Sequence, residues 1–306
     1  MTSSHQRMFL STALAALAAI APAVPASTTG VLASGITAVG PAGSRAAVHG
    51  QARRIQARDI QARRLQARRI RGRGDDSSLH VRLLSERDKV QLAASYYAPR
   101  KSSSRAPGVI LVHDAGHDRR QLEDLANYLN RKGFGVLTLD LRGHGESATA
   151  ASNWSTMDEK TREATWAFAG RDLSAAAAFL RRKREIHSAN LSIVAVGAGC
   201  SLAVRHAVDD ENARAVVLID PRAETRGDRL ATGLIELEGL PTLIVVSKEG
   251  RELATALESE AEKANDDFEF IEVQVLRSST EELLGDKRLN NSSASWLKRQ
   301  VAPSKK

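Results

Sequence analysis

A single cysteine, Cys200, in 306 residues excludes any intrachain disulfide. Aromatic residues are scarce at 4 % and alanine is abundant, which suits helices packed on a sheet better than an all-β core. No apolar run is long enough for a stable membrane anchor; the longest, Met8 to Ile20, falls well short of the ~20 residues a spanning helix needs. Acidic residues are almost missing from the first quarter of the chain. Residues 1–74 hold eleven of the 44 basic residues, all arginine, and one of the 36 acids, Asp59. The remaining 232 residues therefore carry 33 bases against 35 acids, so the net charge of +8 belongs to a leader and not to the folded part. That excludes specific nucleic-acid recognition by the domain as a reading of its charge.

The leader divides in two. Residues 1–26 have a weakly positive start at His5 and Arg7, the apolar run, and small-residue cleavage sites at Ala21-Pro22-Ala23 and Val24-Pro25-Ala26. This is the pattern of a secretory signal and predicts export to the periplasm or beyond the cell. Residues 27–74 read as a disordered basic linker containing the pentapeptide repeat Gln51-Ala-Arg-Arg-Ile55, Gln56-Ala-Arg-Asp-Ile60, Gln61-Ala-Arg-Arg-Leu65 and Gln66-Ala-Arg-Arg-Ile70. A period of five advances each aliphatic residue by about 140° around a helix, so the four never align as one apolar stripe. The segment is either a tether to an anionic surface or a solvated spacer extended by its own charge.

From residue 75 onward strand-like and helix-like segments alternate, which predicts an α/β domain with a mostly parallel, doubly wound sheet. Leu79–Leu84 and Gln91–Tyr97 alternate in period two around a Glu-Arg-Asp-Lys turn and predict an antiparallel edge hairpin. Gly108–Val112, Phe134–Leu139, Leu191–Val196, Ala215–Ile219, Thr242–Val246 and Phe268–Leu276 predict about six parallel strands. Helices are expected over Arg119–Lys132, Thr165–Arg182, Ser201–Val208, Glu252–Ala264 and Ser292–Val301.

Two stretches are more specific. Val109-Ile-Leu-Val-His113-Asp114-Ala115-Gly116 resembles the third strand and following loop of α/β-hydrolases, and Asp140-Leu-Arg142-Gly143-His144-Gly145-Glu-Ser147 resembles the DxRGHGxS loop after their fourth strand. With the strand order, the resemblance covers about 225 residues and is nearest to the esterase, lysophospholipase and serine aminopeptidase-like branch. It implies the α/β-hydrolase fold. Only a short excursion fits between Pro221 and Leu240, so no large lid is expected. It also implies a serine on a tight strand-to-helix turn, an acid after a later strand and a histidine after the last strand.

The sequence departs from that pattern at each position. The turn should lie within Gly197-Ala198-Gly199-Cys200-Ser201, and three registers are open. Strand length favours Gly199 at the nucleophile position; a strand two residues longer would place Ser201 there; a third register centres on Cys200. The acid position falls at Gly250, beside Glu249, and the histidine position at Thr280. No histidine follows His206. The expectation is a pseudoenzyme with a binding or scaffolding role, the alternative being an active carboxylic-ester or lysophospholipid hydrolase using Ser201. The loop of His113, Asp114, Ala115 and Gly116, together with Cys200 at the helix start, is the expected oxyanion or ligand loop, with free N–H groups suited to a small carbonyl or carboxylate ligand. The two His-Asp pairs of that loop are borderline metal ligands, but the resemblance assigns the loop histidine a structural role, so neither metal nor cofactor is expected.

Overall fold

The computed structural model describes residues 78–100, 105–237, 239–264 and 271–301, all within the unit Arg73–Lys306. The expected signal, linker and repeat lie outside the described residues.

Eight strands form one sheet: β1 (Ser78–Leu84), β2 (Gln91–Tyr97), β3 (Ala106–Val112), β4 (Gly135–Leu139), β5 (Ile186–Val196), β6 (Ala213–Ile219), β7 (Thr242–Val246) and β8 (Ile271–Val275). Their order across the sheet is β1-β2-β4-β3-β5-β6-β7-β8. β1 and β2 pair antiparallel with Ser78 opposite Tyr97, β2 pairs antiparallel with β4, and the other six strands are parallel. The expected hairpin and doubly wound sheet are therefore the observed ones.

The continuous aliphatic runs make sense in this arrangement, because a parallel strand covered by helices on both faces needs apolar side chains on both. On one face, Leu125 and Leu129 of α1 (Glu123–Arg131) and Trp296 and Leu297 of α7 (Lys287–Val301) close over Val109, Val194 and Val217. The opposite face is covered by α2 (Glu159–Ala167), α3 (Gly170–Arg181), α4 (Gly199–Asp209), α5 (Leu230–Glu236) and α6 (Arg251–Ala264), which bury Trp166, Leu173, Leu202, Leu234 and Leu257 against Ile110, Ile193 and Val216. Each such fully buried side chain contributes about 1.5–3 kcal/mol. Between β6 and β7 there is only a two-residue hairpin, Glu224–Thr225 with Asp228–Arg229, followed by α5, so no large lid is present.

Several element bounds differ from those expected. The helix placed over Arg119–Lys132 opens as a 3-10 turn at Arg119–Leu122, because Asp118 caps Arg120 N–H while the Arg119 side chain turns inward onto Asp140. The helix placed over Thr165–Arg182 is two helices. Short bonds from Phe168 N–H to Thr165 O and Ala169 N–H to Trp166 O tighten the end of α2, and α3 restarts at Gly170. β5 starts five residues early, α4 starts at Gly199 and not Ser201, and α7 starts at Lys287 and not Ser292. Of the strand expected over Phe268–Leu276, residues 268–270 lie outside the described residues.

Candidate active-site cleft

All six parallel strands end at one edge of the sheet, and there a cleft of about 710 Å³ opens. Its walls bring together Asp114 from the loop after β3, Gly197 after β5, Asp220 and Arg222 after β6, Gly250 after β7 and Thr280 after β8. This is the crevice in which an open α/β sheet binds ligands. Gly199, Cys200, Ser201 and His113 do not line it.

The strand-to-helix turn lies two residues earlier than expected. Gly197 has φ +54°, the left-handed region that favours glycine, and its N–H is tied to Ile219 O at 3.0 Å. Gly199 is already the first residue of α4. Its lack of a side chain has a packing reason: a Cβ there would stand 2.6 Å from His113 O. None of the three expected registers therefore sits on the turn. Ser201 is buried in the first turns of α4, and its hydroxyl donates to Ala198 O at 3.1 Å. Cys200 is fully buried, with its thiol directed at Ala195 O, and burial pushes that thiol up and away from ionisation. Its N–H donates to Gly197 O, so it offers a ligand no donor and does not belong to the ligand loop.

The place that a nucleophile would occupy is filled from across the cleft. A Cβ built on Gly197 would stand 2.5–2.7 Å from the Asp114 carboxylate. Oδ1 of Asp114 accepts hydrogen bonds from Ala115 N–H and from Ala198 N–H, both at 2.8 Å. Those are the N–H of the residue after the turn and an N–H of the loop after β3, the two donors from which this fold builds an oxyanion hole. Oδ2 of Asp114 takes Arg222 Nη2 at 2.8 Å, and Asp114 N–H donates to Gln121 Oε1 at 2.8 Å, so the carboxylate is held from three sides. The expected free N–H groups of this loop are thus engaged. Gly116 N–H is taken as well, by His144 Nε2 at 3.2 Å.

Of the histidines on these loops, His117 is exposed at the cleft wall, whereas His113 and His144 do not line it. His113 accepts Leu141 N–H at Nε2, at 3.0 Å, and donates from Nδ1 to Asp114 O at 2.7 Å. His144 donates from Nδ1 to Arg142 O and stacks on Trp154 with ring centroids 4.4 Å apart. Burial lowers each to about 4, so both rings are neutral at physiological pH and cross-brace the loops after β3 and β4. Beneath them lies a buried ionic frame. Asp140 accepts from Arg119 N–H, from the Arg119 guanidinium and from Glu146 N–H, while Arg142 grips Asp172 through Nε at 3.0 Å and Nη2 at 2.6 Å.

At the opposite wall the acid and histidine positions form a chain of hydroxyls. Ser247 Oγ lies 3.2 Å from Asp220 Oδ1 and 2.9 Å from Thr280 Oγ1, and it accepts Gly250 N–H at 3.2 Å. Ser247 has one proton to give; with that on Asp220, Thr280 is the donor to Ser247. Gly250 has no room for a side chain, since a Cβ would meet Asp220 Oδ1 and Val246 Cβ at 2.9 Å each. Asp220, with φ +44°, thus occupies the space an acid at 250 would need. Asp220, Ser247, Arg222 and the plugging role of Asp114 were missed in the sequence, although Asp220 could have been found as the first polar residue after an unbroken aliphatic strand. Among the described residues, no three His, Cys, Asp or Glu converge on a metal position.

Comparison with known proteins agrees with this architecture. A model of the alpha/beta hydrolase family matches residues 109–298, more than half of the chain. No curated protein matches. Among solved structures, an esterase of Pyrococcus furiosus is similar with a TM-score of 0.59 at 14 % identity, over 74 % of this chain and 91 % of that one. A putative dienelactone hydrolase of Klebsiella pneumoniae gives 0.58 at 13 % identity over 74 % and 98 %, and a 2,6-dihydroxy-pseudo-oxynicotine hydrolase gives 0.56 at 12 % over 75 % and 69 %. Such identities show a shared fold and leave the chemistry to the site itself. On the family match, the strand order and the cleft, this chain belongs to the alpha/beta hydrolase family.

Proposed function

We propose that this chain is a catalytically silent α/β-hydrolase, a pseudoenzyme whose fold serves binding or scaffolding. The observation that carries this reading is the Asp114 carboxylate seated on the Ala115 and Ala198 N–H groups beside a glycine turn. An acyl oxygen needs those donors as negative charge develops on it, and a carboxylate already there repels that charge. With no attacking atom at Gly197 and no imidazole at Thr280, general-base activation of a nucleophile has neither of its partners. Ser201 is no substitute, because its hydroxyl is buried and bonded within its own helix. A small carbonyl or carboxylate ligand would reach the two N–H groups only by displacing Asp114 onto Arg222.

A fluorophosphonate probe and short p-nitrophenyl esters test the reading. The expected result is no covalent labelling and no hydrolysis above the heat-denatured control; labelling that disappears in Ser201→Ala would overturn it. Export and surface tethering belong to the same proposal, supported by the signal pattern of residues 1–26 and the arginine repeat of residues 51–74. N-terminal sequencing of the mature protein tests the first. Binding to anionic vesicles with and without residues 51–74 across salt concentrations tests the second, since charge-driven contact must weaken steeply with salt.

A further inference from the structure

A second concavity lies on the helical face, away from the cleft. It is a groove of about 560 Å³ along α3, walled by the β1–β2 turn on one side and by the end of α4 on the other. Its floor is apolar, formed by Ala175 and Ala178 of α3 with Phe168 and Leu84 at one end. Only four large apolar side chains are exposed among the described residues, Leu79, Leu84, Phe168 and Val208, and two of them line this groove. Exposed apolar side chains gathered in a rimmed groove mark a contact surface, whereas the same residues scattered singly need no explanation.

The rim is basic at both ends. Arg87 and Arg171 stand beside the Leu84–Phe168 end, and Arg182 and Arg205 stand at the other, against Glu86 and Asp209. Arg171 is stacked over Phe168 at 4.4 Å and shares Asp88 with Arg142. Arg205 pairs with Asp228 through Nη1, while its Nη2 is buried with no hydrogen-bond partner. Arg87 and Arg182 have no ion-pair partner among the described residues. The groove follows the 12 residues of α3, about 18 Å, the length of a helix of a little over three turns lying alongside.

We propose that this groove docks an acidic amphipathic helix of a partner protein, with its aliphatic stripe on Phe168, Leu84 and the α3 alanines. Charge complementarity selects this occupant. A single-headed anionic amphiphile would satisfy the arginines at one end only, whereas a helix with carboxylates flanking an aliphatic stripe meets both ends. The chain's own leader is excluded by charge, since residues 1–74 carry eleven arginines and one acid.

Fluorescence anisotropy of the full-length protein with a labelled 15-residue helical peptide tests this. The peptide carries leucines at i, i+3, i+4, i+7 and i+11 and glutamates at both ends; a second peptide has lysine for each glutamate. The acidic peptide should bind at least tenfold tighter than the basic one. Arg87→Glu with Arg182→Glu should weaken it at least tenfold, and Phe168→Ser should weaken it severalfold. All three side chains are exposed, so circular dichroism of the variants should match the parent. Equal binding of the two peptides, binding undiminished in the double variant, or full displacement by sodium laurate below its micelle concentration would each overturn the proposal.

Discussion

The two halves of the sheet edge treat polar chemistry in opposite ways. On the β3–β4 side, the buried charges and imidazoles are tied down: Asp140 on Arg119, Asp172 on Arg142, His113 on Leu141, His144 on Gly116. On the β5–β8 side, the positions where chemistry would occur hold glycines and hydroxyls, Gly197, Gly250, Ser247 and Thr280. The first set shapes loops and is costly to disturb, because an unpaired buried charge has lost its water. The second set carries no charge of its own and meets one only through Ser247, which donates to the Asp220 carboxylate. The lesson is that the frame of buried ions belongs to the scaffold and holds the loops whatever the cleft does. Asp114 joins the two halves, since its carboxylate reaches from the loop after β3 to the glycine turn after β5.

That contrast predicts a steep acid sensitivity from the β3–β4 side alone. The His113 and His144 rings take up protons near pH 6.5 when unfolded but only near 4 when folded. Below about 6.5 the unfolded chain therefore binds protons that the folded chain refuses. Each ring costs up to about 1.4 kcal/mol per pH unit, about 5 kcal/mol for the two by pH 4.5. Urea denaturation from pH 7.5 to 4.5 should show this slope; a flat profile to pH 5 would remove the histidines from the frame. Asp140→Ala, which leaves the buried Arg119 guanidinium only the half-exposed Glu146 and strips the Arg119 and Glu146 N–H groups of their acceptor, should cost about 3–5 kcal/mol in the same assay.

Gly197→Ser sharpens the comparison by placing a side chain against Asp114. It should cost about 1–3 kcal/mol from overpacking and the left-handed φ. Asp114→Gly in the same chain should relieve most of the overpacking, so a double-mutant cycle measures the plug. Additive losses would mean that the carboxylate moves aside freely. The smallest effects belong to Arg222→Ala and Thr280→Ala, each under about 1 kcal/mol, because Arg222 is 53 % exposed and Thr280 lies at the surface. Losses at these two positions equal to that of Asp140→Ala would erase the distinction between the halves.

The fold was legible because buried parallel strands are written as unbroken aliphatic runs and because the Asp140–Ser147 loop carries a specific pattern. The candidate site was legible in part: Gly250 and Thr280 line the cleft where strand counting put them. The turn was not. Val196-Gly197-Ala198-Gly199-Cys200 is a run of small residues with no periodicity, so nothing local marks where the strand stops; the packing of Gly199 on His113 O decides it. The Asp114 plug was invisible for a different reason: its bond to Ala198 joins residues 84 positions apart. The break between α2 and α3 also left no trace, since Phe168 and Ala169 are compatible with a continuous helix.

Amide NMR of Ala115 and Ala198 tests the central claim most directly. Both N–H groups should exchange slowly with solvent, and Asp114→Ala should move both resonances upfield together while speeding both exchanges, with phenylboronic acid leaving the parent spectrum unchanged. If Asp114→Ala leaves those two amides where they were, or if phenylboronic acid shifts them in the parent protein, the oxyanion donors are open and the account of a plugged, silent site is wrong.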